Sequence, residues 1–153
     1  MLKIKAPSIE SIGTDGCEAI LLLAQHSYLS CMKEVLSIFL EQHANNLDSV
    51  PIIHLPSLQD RIMVFETRKQ HYGTQWKQDP KSGQIYLIEM DDFNFVNDRR
   101  AIFGLKKIRR PVNLAKGAVK YPLGKGLAKE SDQKALSAEA YKEMTRYAKC
   151  LVI

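Results

Sequence analysis

The chain has little of what usually identifies a protein quickly. Its three cysteines, Cys17, Cys31 and Cys150, are too few and too scattered for a disulfide framework, and no Cys-x-x-Cys or paired Cys/His spacing points to zinc. A reducing compartment fits that usage. His43, His54 and His71 show no metal spacing with one another, so neither a metal nor a cofactor is expected. There is no Gly-x-Ser-x-Gly elbow and no glycine loop of the kind that cradles phosphate, so neither a serine-elbow hydrolase nor a P-loop enzyme is expected. Met1 to Ser11 mixes Lys3, Lys5, Pro7 and Glu10 with apolar residues, so no signal peptide is expected. The apolar stretch from Ala19 to Ala24 is far shorter than the roughly 20 residues a membrane span needs. It reads as core.

What is present is an ordinary hydrophobic share and an uneven charge. With 153 residues, 45% of them hydrophobic, one domain with a real core is affordable, whereas two would be cramped. Residues 101–153 carry 12 Lys and Arg against 4 Asp and Glu, a net of +8, which leaves 10 against 13, a net of −3, for residues 1–100. A mildly acidic body therefore precedes a basic tail. Such asymmetry points to an anionic partner for the tail, lipid headgroups or nucleic acid, although a solvated charged face is the commoner cause.

Periodicity predicts a mostly helical α+β domain. Gly13-Thr14-Asp15-Gly16 reads as a break, with Thr14 or Asp15 capping a buried helix from Cys17 to His26. A second helix is predicted over about 30–45, where Met32, Val35, Leu36, Phe39 and Leu40 recur at helical spacing. Residues 50–56, with Pro51 and Pro56, read as a connection, and Ser57 as the cap of a third helix through Leu58, Ile62 and Phe65. Tyr72–Trp76 and Gln84–Ile88 are rich in β-formers and flank the turn residues 79–83, which predicts an antiparallel hairpin. Asp91-Asp92 and Asn97-Asp98 offer caps for a short helix through Arg100, Phe103 and Leu105. The expected organisation is a globular body over 1–110, an irregular basic arm over 111–131, and an amphipathic helix over 132–153 with a basic face of Lys142, Arg146 and Lys149.

Within the body, Gln25-His26, Asp60-Arg61, Tyr72-Gly73-Thr74-Gln75 and Arg100-x(3)-Gly104-Leu105 occur in that order. The series resembles an uncharacterised bacterial domain family over roughly residues 11–108, with Tyr-Gly-Thr-Gln after an Asp-Arg helix as its most specific part. The resemblance implies a bacterial origin and a shared polar centre, and implies no reaction. Taken chemically, His26, Asp60, Arg61 and Gln75 are the candidate catalytic residues. A carboxylate holding an imidazole in one tautomer, beside an arginine or amide for an oxyanion, is the making of an acid/base centre. No nucleophile stands out near them, and a buried network in which these groups satisfy one another ranks ahead of catalysis.

The last four residues, Cys150-Leu151-Val152-Ile153, match a Cys-aliphatic-aliphatic-X prenylation signal, with Cys150 as the lipidated thiol. Ile153 stands nearest to leucine as the selecting residue, which favours geranylgeranyl over farnesyl. One lipid chain anchors reversibly and needs a second signal, and Lys142, Arg146 and Lys149, with the lysines of the arm behind them, supply one at about 1 kcal/mol per engaged charge. The competing account makes Cys150 an ordinary cysteine and Leu151–Ile153 ordinary core. A bacterial domain with a eukaryotic lipidation signal resembles the prenylated effectors of intracellular bacteria. The expected partners are therefore a host prenyltransferase, an anionic membrane surface and a membrane-associated host protein, on the cytosolic face of a host membrane. Two alternatives stand beside this: a soluble hydrolase working through His26 and Asp60, and a nucleic-acid binder using the tail from Lys106 onward, which is disfavoured because its basic segments match no known module.

Overall fold

The computed structural model describes residues 7–46, 48–83, 85–108 and Lys142. The expected arm, most of the expected terminal helix, and with them Arg146, Lys149 and Cys150, lie outside the described residues. Lys142 is described, helical and exposed.

The body is an α+β fold, mostly helical, of helices α1 (Ile9–Gln25), α2 (Leu29–Asn45), α3 (Leu55–Thr67) and α4 (Val96–Ile102), with strands β1 (Trp76–Gln78) and β2 (Ile85–Leu87) between α3 and α4. α1 starts well before the predicted Cys17. Ser8 and Ser11 form a reciprocal capping box, the Ser11 N–H donating to Ser8 Oγ at 3.3 Å and the Ser8 N–H to Ser11 Oγ at 2.8 Å. The expected break at Gly13 is instead a kink inside the element, where φ is 74°, in the left-handed region that glycine enters without steric cost. Only Cys17, Leu21 and Ala24 of this helix are fully buried, and burial raises the Cys17 thiol pKa, with the Glu18 charge adding to the effect.

α2 lies within a residue of its predicted limits and buries Met32, Leu36, Phe39, Leu40 and His43. α3 opens differently from expectation. Its N-terminus follows a 3-10 turn at Ile52–His54, and Pro56 occupies the first turn, where a missing N–H costs nothing. Ser57 is therefore inside the helix and does not cap it. The three helices bury one contiguous cluster that runs from Cys17 and Leu21 through Met32, Leu36 and Phe39 to Leu55, Leu58 and Ile62, and that Tyr72 and Phe103 complete. Each such aliphatic or aromatic side chain contributes about 1.5–3 kcal/mol on burial. Lys33, near the start of α2, pairs with Glu66, near the end of α3, as two antiparallel helices allow.

The hairpin is shorter than predicted. Trp76 pairs with Leu87, Lys77 with Tyr86, and Gln78 with Ile85. Tyr72 belongs to the core instead, fully buried, with its ring edge-on to Phe103 at 5.2 Å between centroids. α4 is not capped by Asn97 or Asp98. Asn97 lies in its first turn and grips the following chain, accepting from the Ile108 N–H at 2.7 Å and donating to the Ile108 carbonyl at 2.9 Å. Among the described residues, no helix is long and apolar enough to cross a membrane.

Candidate functional site

The polar residues of the body gather around the segment 70–75, which leaves α3 and crosses beneath it before β1. Asp60, 0% exposed on the inner face of α3, organises that crossing. One carboxylate oxygen accepts from the N–H of His71 at 2.8 Å and of Tyr72 at 2.9 Å; the other accepts from the N–H of Thr74 at 2.9 Å and its hydroxyl at 2.8 Å. Without this carboxylate, three backbone donors of a buried loop would be left unpaired, at about 1–3 kcal/mol each. Burial pushes the Asp60 pKa above the usual aspartate value, and the four hydrogen bonds pull against that rise. Gly73 turns the loop at φ 69°, and a Cβ there would collide with Ile108 Cδ1.

Gln70 does for the outer side of the loop what Asp60 does for the inner. Fully buried, its side chain accepts from the Gln75 N–H at 2.8 Å and donates to the carbonyls of Gln75 at 3.0 Å and Ile88 at 2.7 Å. Its backbone bridges to the stretch after β2, so the hairpin hangs from the loop. α4 closes the assembly with two arginines. Arg99 donates from Nε to the His71 carbonyl at 2.9 Å and from Nη2 to Asp91 at 3.0 Å and the Asp92 carbonyl at 2.7 Å. Arg100 donates to the Tyr72 carbonyl at 2.7 Å and the Lys106 carbonyl at 2.6 Å. Burial lowers the Arg100 pKa, and the Asp60 charge partly restores it. His71 donates through Nδ1 to the part-exposed carboxylate of Asp91. Within this polar centre the imidazole–carboxylate pair is thus His71–Asp91, with the imidazole sealed inside the fold, while a second such pair, His54 Nε2 with Glu18 Oε1 at 2.8 Å, links the start of α3 to α1.

The four residues expected to meet do so only in part. Asp60, Arg61 and Gln75 come together, and Arg61 Nη1 donates to Gln75 Oε1 at 3.3 Å. His26 stands apart. It is the exposed C-cap of α1, and among the described residues no hydrogen bond joins its ring to Asp60, Arg61 or Gln75. Its neighbour Gln25 takes the inward position, accepting at Oε1 from the Ser57 hydroxyl at 3.1 Å. One residue on a helix is about 100° of rotation, which is enough to exchange the two. Gln75 Nε2 then donates to the Ser57 carbonyl at 3.0 Å, so Gln25, Ser57, Gln75 and Arg61 form a continuous polar chain across α1, α3 and the loop.

Sequence reasoning had not singled out Gln25, Ser57, Gln70, His71, Asp91, Arg99 and Arg100 as site residues. Gln25 and Arg100 belong to the motif series and Gln70, His71 and Arg99 adjoin it, so the order of the motifs pointed toward them, whereas Ser57 and Asp91 carry no such signal. Among the described residues, no group of His, Cys, Asp and Glu is placed to hold a metal ion. Set against protein-family models, curated proteins and solved structures, the chain matches none. None of these comparisons supports the bacterial-family resemblance expected from the motif series.

Proposed function

We propose that the chain is a bacterial effector that host enzymes prenylate on Cys150, and that its body binds a membrane-associated host target from the cytosolic face. The observation that carries this reading is the tetrapeptide Cys150-Leu151-Val152-Ile153 behind a net charge of +8 over residues 101–153. The thiol, the two aliphatic residues and the bulky aliphatic at the fourth position are what a geranylgeranyl transferase reads, and the basic residues supply the second signal that a single chain needs for residence. Three engaged cations add about 3 kcal/mol, roughly a hundredfold in residence.

The body is read as a binding module because its polar centre is structural. A hydrolase working through His26 and Asp60 needs those groups to share a cleft, whereas Asp60 is sealed and saturated by donors and His26 lies on the outer surface. The test is intact-mass analysis of the full chain expressed in mammalian cells. A mass increase of one geranylgeranyl group, lost in Cys150→Ser together with membrane localisation, is the expected result. An unmodified Cys150 ends the reading.

A further inference from the structure

Arg61 is the residue that the closed centre leaves over. Asp60 beside it receives four donors, while Arg61 has no ion pair among the described residues and its buried Nε has no hydrogen-bond partner. Its one hydrogen bond is to the neutral amide of Gln75, at 3.3 Å. A half-buried cation with no anion is a costly arrangement that a fold does not need. The guanidinium is nevertheless held in place. It lies over the Phe65 ring, 5.7 Å from the centroid, and its amide partner Gln75 is anchored by Ser57 and Thr74. Fixing a charge in this way removes the ordering cost of binding a ligand.

The chain of groups that starts at Arg61 runs through Gln75 and Ser57 to Gln25. Ser57 donates its hydroxyl proton to Gln25 Oε1, and among the described residues the Gln25 amide nitrogen makes no hydrogen bond, so both its protons are available. A ligand that meets the Gln25 Nε2 and the Arg61 fork therefore has to be an acceptor and carry negative charge. The rim of this patch is apolar. Phe65 is 51% exposed one turn beyond Arg61, and Leu22 is 58% exposed one turn before Gln25 on the same face of α1. A fixed cation with amide donors, flanked by an exposed aromatic and an exposed aliphatic side chain, matches the layering of a bilayer surface, where phosphate oxygens lie just above the acyl boundary.

We infer that the face formed by the C-terminal end of α1 and the middle of α3 seats directly on an anionic phospholipid surface. Arg61 and the Gln25 amide take a headgroup phosphate, and Leu22 and Phe65 enter the boundary layer. This deepens the proposed membrane role, and it gives the body a contact that does not depend on the lipid at Cys150.

The experiment uses the full chain as Cys150→Ser, so that lipidation plays no part and the two proposals fail separately. Binding to phosphatidylcholine vesicles with and without phosphatidylserine is followed by cosedimentation and by the emission of Trp76, the residue after Gln75. Arg61→Gln is expected to weaken binding to the phosphatidylserine vesicles about fivefold, Phe65→Ser about tenfold, and Arg61→Lys is expected to retain most of the affinity. The basic tail contributes equally to every variant. Unchanged vesicle affinity in Arg61→Gln and Phe65→Ser, both folded by near-ultraviolet circular dichroism, overturns the inference. So does an Arg61-dependent response to soluble glycerophosphate or to an acidic peptide with none to vesicles, which assigns the patch to a soluble anion or a protein partner.

Discussion

Asp60 and Arg61 are adjacent in sequence, oppositely charged, and treated in opposite ways by the fold. Asp60 faces inward and is saturated with donors from a loop 11 to 14 residues further along the chain. Arg61 faces the rim and shares a single weak hydrogen bond with an amide. The inner side of α3 thus spends its charge on building the fold, and the outer side keeps its charge for something that arrives. A buried charge belongs to structure when its partners are supplied from within, and to recognition when they are missing.

The contrast breaks most readily at Asp60. Asp60→Asn places an amide N–H₂ opposite backbone donors and is expected to cost about 3–5 kcal/mol, read as a lowered urea midpoint. Because burial raises the Asp60 pKa in the folded chain, the native state holds this proton more tightly than the unfolded state does. Its contribution is therefore greatest in acid and declines as pH rises from the ordinary aspartate value through the raised one. Urea midpoints of wild type and Asp60→Asn compared across that range should converge as pH increases, and parallel profiles would show that Asp60 is charged throughout. Gly73→Ala tests the loop that Asp60 holds. It forces a Cβ into a left-handed position against Ile108, and about 1–3 kcal/mol of stability is expected to be lost in thermal melts.

A third substitution separates paired from unpaired polar groups on the same helix. Gln59 is 1% exposed, and neither its amide oxygen nor its nitrogen has a hydrogen-bond partner. Gln59→Met keeps the shape, removes both orphans, and is expected to stabilise the chain by about 1–2 kcal/mol in the same denaturation assay. The smallest effect belongs to Arg61. Since it completes no ion pair, Arg61→Gln is expected to shift stability by less than about 0.5 kcal/mol. A loss comparable with that of Asp60→Asn would make Arg61 a structural residue and erase the contrast between the two.

How much of this was legible depended on how local each determinant is. α2 was readable within a residue because its apolar spacing and its stop are both written in its own segment. α1 was truncated in the reading because Gly13 and Gly16 look like a break, while the capping box of Ser8 and Ser11 carries the start further upstream. The Ser57 cap failed because the 3-10 turn before α3 owes its form to the packing of Ile52 and Leu55 into the core, which no local pattern records. At the site, Asp60, Arg61 and Gln75 were readable as a group from motif order. His26 was taken for the member that Gln25 supplies, since an imidazole is the more obvious acid/base group and the two neighbours differ by only about 100° around the helix. Asp91 was read as a cap because its partner His71 is 20 residues away in sequence.

Those separations also order assembly. Asp60 gathers its loop across at most 14 residues, but Arg99 and Arg100 reach back 28 to the carbonyls of His71 and Tyr72. Closing a longer segment costs more chain entropy and waits for the shorter one to exist. α4 is thus expected to be the final piece to dock, acting as a clasp that locks a loop already shaped by α3. Hydrogen exchange should find it the first part of the body to open.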